Sequence, residues 1–373
     1  ITFSGICEII TKTANCISGS LFLCILPQFY KMLYFDITQS EMESSSMANE
    51  EKLNINDIAE RAGVSIATVS RYLHGRLEKM SDKTANRIKQ IIEETGYVPN
   101  ASAVQLMTQR SGLIAVVAAD VDDYFSTEFF KGASSILEAE QYTGVLFDTN
   151  SSVAREASLL DRVSQQNFDG VIIQPISDDD SLLEKHIKKG LPVVLVDRET
   201  MGGNYDMVVT DNEQAAKRAA QHYHDAGFTR LIVVTEPIAS VSTRTARWRG
   251  VQAVYPNATM VEVPRAGIVG EEVLNEMMQQ LRGEEPTVIF FFKERLMLEI
   301  LPHMIRENVL NEQRQVTGFS DTKLARDLNP NVKLIQQNPF LMGATAAELL
   351  LRRLDKKTVM QHTEKVVIAA TYE

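Results

Sequence analysis

The sequence predicts an α/β protein: a small N-terminal helix-turn-helix headpiece followed by a two-lobed body of doubly wound parallel sheets. Three observations carry that prediction. Residues 54–75, NINDIAERAGVSIATVSRYLHG, hold two short helical patterns separated by only Gly-Val-Ser. From residue 113 onward, short continuous Val/Ile/Leu runs alternate with amphipathic stretches, the mark of strands buried on both faces. The alternation occurs in two series, which implies two lobes. A length of 373 residues, 44% of them hydrophobic, supplies core for more than one domain.

In the N-terminal module, Asn54 can cap a first helix with Asp57 at its third position. Ile58 and Ala59 give that helix an apolar face, and Gly63 stops it after two turns. Ser65 caps the second helix. So short a connection forces a steep crossing packed through Ala59, Val64 and Val69. A third helix runs from the Ser81 cap through Ile88, Ile91 and Ile92 to the Gly96 stop.

Charge has to be read by segment. The net charge of -11 argues against a protein coated in nucleic acid, but one module of an acidic chain can still bind it. Residues 47–110 carry nine Lys and Arg against eight Asp and Glu, and residues from 111 onward carry 27 against 37. The first 46 residues differ from the rest. They hold all three cysteines (Cys7, Cys16 and Cys24) and the apolar stretch LFLCILPQFY, interrupted by Pro27. Met47 reads as the start, with 1–46 as a non-native or disordered extension. The stretch is too short for a membrane span and lacks the flanks of a signal peptide. The cysteine spacings fit no metal or redox motif, so no metal or cofactor is expected and a reducing cytoplasm is.

VSIATVSRYLHG, followed by SDKTANRIKQIIEETGYVPNASAVQLM, resembles the DNA-binding headpiece and hinge of the lactose/galactose repressor family. These are bacterial transcriptional regulators that bind operators as dimers, and within the family the chain is similar to the 2-keto-3-deoxygluconate repressor branch. The resemblance implies a headpiece at 47–98, a hinge at 99–111 and an effector and dimerisation domain at 112–373. Ile66 and Ala67 would face bases, while Thr68, Ser70 and Arg71 would hold phosphates or a base edge; the caps Asn54 and Ser65 belong to the same DNA-facing set. In the hinge, Asn100, Ala103 and Leu106 would contact DNA. Residues 101–109 carry no charge and few bulky side chains, so an isolated helix there is marginal and would fold when paired on DNA. Leu106 is placed to wedge a minor-groove step, its plainer role being packing.

The body strands are read at LIAVVAAD, GVLFDT, GVIIQP and LPVVLVD, then at LIVVTEP, MVEVP, TVIFFF and QVTGF. The arrangement resembles the periplasmic sugar-binding-protein fold that this family uses as its effector domain. Lobe 1 is expected at about 112–209 plus 339–366, and lobe 2 at about 210–338 plus the C-terminal end. The final segment, TVMQHTEKVVIAATYE, reads as one last strand. No apolar heptad tail follows Leu354, so a homodimer is expected without a tetramer-forming helix.

Ligands bind such folds at the carboxyl ends of the strands. Asp120, Asp123, Tyr124 and Phe125 follow the first strand, Asp197 and Arg198 follow VVLV, Arg244 and Arg247 follow LIVVTEP, and Lys293 and Glu294 follow VIFFF. Gln337 and Asn338 lie near the last crossover. Each residue alone could be a solvated loop charge; their convergence is the stronger signal. The family carries an arginine three residues before a glycine that grips sugar hydroxyls, and Arg247 with Gly250 matches it. Arg244 lies one turn earlier on the same face. Arg249 lies about 200° from Arg247 and points away, and Trp248 suits packing better than a sugar platform. Where the family commonly has an Asn-Asp pair, this chain has Lys293-Glu294. Two or three cations with fewer acceptors suit an anionic ligand: a sugar acid such as 2-keto-3-deoxygluconate, a hexuronate or an unsaturated oligouronide, with a sugar phosphate or neutral sugar as weaker fits. The plain alternative is that Glu294 neutralises the cluster in an empty salt-bridge network.

The expected function is a cytoplasmic, nucleoid-associated repressor of sugar or sugar-acid catabolism genes. It would bind double-stranded operator DNA and be released by an effector between the lobes. An activator or corepressor-dependent regulator and a solute-binding receptor are the alternatives. An enzyme is not expected: no glycine-rich phosphate loop follows a strand, Gly202-Gly203 lacks that pattern, and His222 and His224 have no evident partner.

Overall fold

A computed structural model describes residues 53–373, except 74, 78–79, 99–109, 240, 265–268 and 356–361. Asn100, Ala103 and Leu106, and the cysteine-bearing first 46 residues, lie outside the described residues. The chain divides into two units, which are taken separately.

The first unit is a three-helix cluster. Helix α1 (Ile55–Ala62) begins in a capping box: the Asn54 side chain accepts from the backbone N–H groups of Asn56 and Asp57, and Asp57 accepts from the Asn54 N–H at 2.6 Å. Gly63 ends α1 in the left-handed region (φ 61°), which the side-chain-free residue enters without strain. Ser65 caps α2 (Ile66–Leu73) by accepting from the Thr68 N–H at 3.3 Å. Ser81 caps α3 (Asp82–Thr95). Ile58, Ala59, Ala62, Val69, Ile88 and Tyr97 form the core, with Val64 packed against it.

The second unit holds two six-stranded sheets. In lobe 1 they are β1 (Leu113–Ala118), β2 (Thr143–Asp148), β3 (Gly170–Ile173), β4 (Val193–Val196), β5 (Asp206–Thr210) and a late strand, β11 (Lys365–Ile368), in the order β11-β5-β4-β3-β1-β2. All of these pair in parallel. Lobe 2 holds β6 (Arg230–Thr235), β7 (Thr259–Glu262), β8 (Thr287–Phe291), β9 (Arg314–Phe319), β10 (Lys333–Gln336) and β12 (Thr371–Tyr372), in the order β12-β10-β9-β8-β6-β7. The segment read as one last strand is therefore two, in different sheets. Edge strand β12 pairs antiparallel with β10 after the chain has crossed between lobes. The break at Ala369-Ala370 lets each half take an open sheet edge.

Helices cover the sheets, and five of them position the cleft. In lobe 1, α4 (Tyr124–Ala139) and α12 (Pro339–Leu354) cross closely. A Cβ on Gly132 would meet the Phe340 carbonyl and one on Gly343 the Phe129 carbonyl, each at 1.9 Å. In lobe 2, α7 (Asn212–Asp225) crosses α8 (Ser242–Gln252) at Gly250, where a Cβ would meet the Glu213 carbonyl at 2.2 Å. Helix α10 (Glu294–Arg306) follows β8. The chain passes between lobes after β5, after β10 and after β11. These crossovers are tied together: Gln337 donates to the Thr210 hydroxyl at 3.3 Å, and Asp211 accepts from the Ala370 N–H at 2.7 Å.

Candidate functional site

At the carboxyl ends of the strands, a cleft between the lobes is lined by Asp123, Phe125, Gln174, Asp197 and Arg198 from lobe 1. Thr243, Arg244, Arg247, Phe292, Lys293, Glu294, Phe319, Asp321 and Gln337 line the facing side. Eight of the nine effector residues read from the sequence meet there. Tyr124 does not; it is 44% exposed, and Asp123 takes the N-cap of α4 by accepting from the Phe125 N–H.

Arg247 is the centre of the lobe 2 wall. The glycine three residues later lets α8 approach α7 so closely that Arg247 Nε donates to Asn212 Oδ1 at 2.7 Å. Its other donors reach the Phe292 carbonyl and, at 3.0 Å, Gln337 Oε1, and the guanidinium lies 3.5 Å over the Phe319 ring. Arg247 is 6% exposed, yet each of these partners is neutral. Burial accordingly pushes its pKa down to about 10, with Asp197 and Asp321 pulling the other way. A guanidinium has five N–H donors, so capacity remains toward the cleft.

The other two cations are already matched. Arg244 pairs with Glu236 and donates to the Pro237 carbonyl at 3.0 Å. Lys293 Nζ lies 3.2 Å from Glu236 Oε1 and 3.6 Å from Asp123 Oδ2, the second across the cleft. Burial would raise the Glu236 pKa, but Lys293 and Arg244 outweigh it and hold it below the usual carboxylate range. The sequence reading had no place for Glu236, which stands in LIVVTEP at a strand end like the residues it did select. The expectation of two or three cations with fewer acceptors is thus corrected: Glu236 and Asp123 balance Arg244 and Lys293.

Glu294 is corrected too. It lines the cleft, but its carboxylate faces its own lobe, accepting from the Ser320 hydroxyl at 2.7 Å and from the Asp321 and Thr322 N–H groups at 3.1 and 3.2 Å. It fastens the loop after β9 and does not neutralise the cationic cluster. That loop presents Asp321, another residue absent from the sequence reading. Asp321 Oδ1 accepts from the Gln337 and Asn338 N–H groups at 2.6 and 3.0 Å, which holds the second crossover; burial nonetheless pushes its pKa up to about 7.

Lobe 1 contributes polar atoms held less completely. Asp197 sits at φ 67° and accepts from Gln174 Nε2 at 2.8 Å, while its Oδ1 is buried without a hydrogen-bond partner among the described residues. Arg198 donates to the Pro175 carbonyl at 3.0 Å, and its Nε is similarly unsatisfied. Asp120 stands outside the cleft lining, 3.9 Å from Arg295, and Asn338 caps α12. Arg249 points away and pairs with Glu213 at 3.0 Å, and Trp248 packs on the lobe 2 core. Among the described residues no group of three or more His, Cys, Asp or Glu could hold a metal ion.

In the helical unit, α2 exposes Ile66, Ala67 and Arg71, with Thr68 and Ser70 half-buried beside them. Asn54 and Ser65 spend their side chains on helix caps, and the Ser65 and Thr68 hydroxyls lie 2.9 Å apart. An exposed face of small and aliphatic side chains with one arginine can enter a major groove. Residues 54–100 match the model for bacterial regulatory proteins of the lacI family, and 114–362 match the periplasmic binding protein domain. The chain belongs to the lacI family. It is accordingly a sequence-specific DNA-binding transcriptional regulator and not an enzyme. The HTH-type transcriptional regulator PtxS of Pseudomonas plecoglossicida is 30% identical, the match covering 81% of this chain and 89% of that one. The HTH-type transcriptional regulator KdgR of Bacillus subtilis is 28% identical, covering 81% and 91%. The crystal structure of a LacI transcriptional regulator from Lactobacillus brevis is 41% identical with a TM-score of 0.66, covering 70% of this chain and 99% of that one. No helix among the described residues is long and apolar enough to cross a membrane.

Proposed function

We propose that this regulator is a cytoplasmic, homodimeric repressor released from operator DNA by a sugar acid bound between the lobes. The observation that carries the ligand class is Arg247: a buried guanidinium lining the cleft with neutral partners only. A buried charge without a counterion is costly, and a ligand carboxylate would supply one in bidentate geometry. The unsatisfied Asp197 Oδ1 and the Asp321 carboxyl are acceptors suited to sugar hydroxyls. Hydroxyls and one carboxylate together describe a sugar acid better than a neutral sugar or a phosphate.

On DNA, Ile66, Ala67, Thr68, Ser70 and Arg71 would read the major groove, and the segment at 99–111 would act as the hinge. The ligand acts by favouring one angle between the lobes, since only differential affinity shifts an equilibrium. The test is thermal-shift screening of the chain against 2-keto-3-deoxygluconate, hexuronates, neutral sugars and sugar phosphates, repeated with Arg247→Ala. A shift from sugar acids alone, lost in the variant, supports the ligand class; a shift from neutral sugars alone overturns it. An operator titration in which the stabilising ligand tightens binding would overturn the repressor sign.

A further inference from the structure

Lys293 is a cleft cation shared between the lobes. It stands immediately before α10 in lobe 2, where it holds Glu236 at 3.2 Å, and it reaches Asp123 of lobe 1 at 3.6 Å. The two carboxylates are not equivalent. Glu236 is 7% exposed and paired a second time, with Arg244, so it is fixed in its own lobe. Asp123 has no second cation within ion-pair distance among the described residues, and its other bond is the cap it gives the Phe125 N–H at 3.3 Å. Just outside the cleft, Arg295 lies 3.9 Å from both Asp120 and Asp122 and makes an independent, looser tie across the same rim.

We infer that Asp123 is an internal stand-in for a ligand carboxylate: an anionic effector takes Lys293 from it, so ligand charge is exchanged for the inner tie between the lobes. The inference rests on the sugar-acid reading above and deepens it. A third carboxylate beside Lys293 would repel both residents. Glu236, held by two cations, stays. Asp123 yields, by turning away or by taking up a proton; desolvation already raises its pKa against the pull of Lys293, and the neighbouring Asp197 and Glu294 carboxylates add to that rise. A neutral sugar has no such effect and leaves the Lys293–Asp123 pair intact. Asp123 therefore sets the discrimination between charged and neutral ligands: it holds the ammonium ready but makes every anion compete for it.

The experiment uses the full chain and matched probes that differ only at one carbon: D-glucuronate against D-glucose, and D-galacturonate against D-galactose. Binding is measured by calorimetry in the wild type, Asp123→Asn and Asp123→Ser. Both replacements retain the ability to cap α4, so the fold of lobe 1 is preserved. The expected result is a rise of about tenfold in the ratio of acid to neutral affinity in both variants, the size expected for removing one like charge near the ligand. An unchanged or lowered ratio, with the acids still binding the wild type, overturns the exchange while leaving the sugar-acid reading in place. If neither acid binds while a neutral sugar does, both fall. Lys293→Met separates competition for the ammonium from plain repulsion: it should lower the acid preference, part of which Arg247 still supports, and leave Asp123→Asn with a smaller effect on the ratio than in the wild type.

Discussion

The two lobes share a plan of parallel strands and covering helices, but they hold their cleft side chains differently. In lobe 2 the charges are interlocked: Arg244 with Glu236, Glu236 with Lys293, and Glu294 with the loop at 320–322. Lobe 1 presents Asp197 and Arg198, loosely paired at 3.9 Å and with buried atoms lacking hydrogen-bond partners among the described residues, and Asp123 bound to the opposite wall. One wall is built in advance, and the other is completed only by what it faces. Preorganised charge is expensive to disturb, whereas a partly satisfied group changes partner at little cost.

The sharpest way to break this contrast is Arg247→Ala. Truncating a buried guanidinium at the centre of the lobe 2 wall should weaken sugar-acid binding by about 100-fold or more, measured by calorimetry, with the fold retained by circular dichroism. Glu236→Gln should come next. It leaves Arg244 and Lys293 short of a counterion and should lower stability by about 2–3 kcal/mol, read from denaturant unfolding of the effector domain; the lobe 1 counterpart Asp197→Asn should cost less than about 1 kcal/mol. Equal losses would erase the distinction between the walls.

A pH experiment sharpens it further. Glu156, on a lobe 1 helix, is 1% exposed and accepts from the Ile176 N–H at 2.9 Å, yet burial raises its pKa to about 7. An acid whose folded pKa exceeds its unfolded value, about 4.3, contributes its full stability below that lower value. The contribution is lost as pH rises through about 7. Glu156→Gln should therefore reduce the fall in melting temperature between about pH 4 and pH 7.5, leaving the part due to Asp321 in lobe 2. A last, small effect lies outside both lobes: Asn54→Ala removes the α1 cap and should cost the headpiece about 1 kcal/mol, followed by its thermal melt.

Strands such as VVLV and VIFFF were legible because burial on both faces leaves no polar residue to interrupt them. Strand β5, DMVVT, was not, because Asp206 and Thr210 at its ends make it resemble a turn; Asp206 is in fact bonded twice by Arg353 at 2.6 Å. Cleft residues were legible wherever a charge stood at the end of a clear strand. The same rule, applied to GFSD after β9, reaches Asp321. Partnerships were not legible: that Glu236 answers Arg244 and Glu294 answers Ser320 depends on side-chain direction, which spacing along the chain does not specify.

The glycines at the α4–α12 crossing have a mechanical consequence. With Gly132 against the Phe340 carbonyl and Gly343 against the Phe129 carbonyl, the two helices meet main chain to main chain and cannot slide past one another without collision. Helix α4 is capped by Asp123, and α12 begins just after Gln337 and Asn338 on the second crossover. A pull on either end is carried through an unyielding joint to the other. The Asp123 end of α4 and the crossover end of α12 are thereby held in one register within lobe 1.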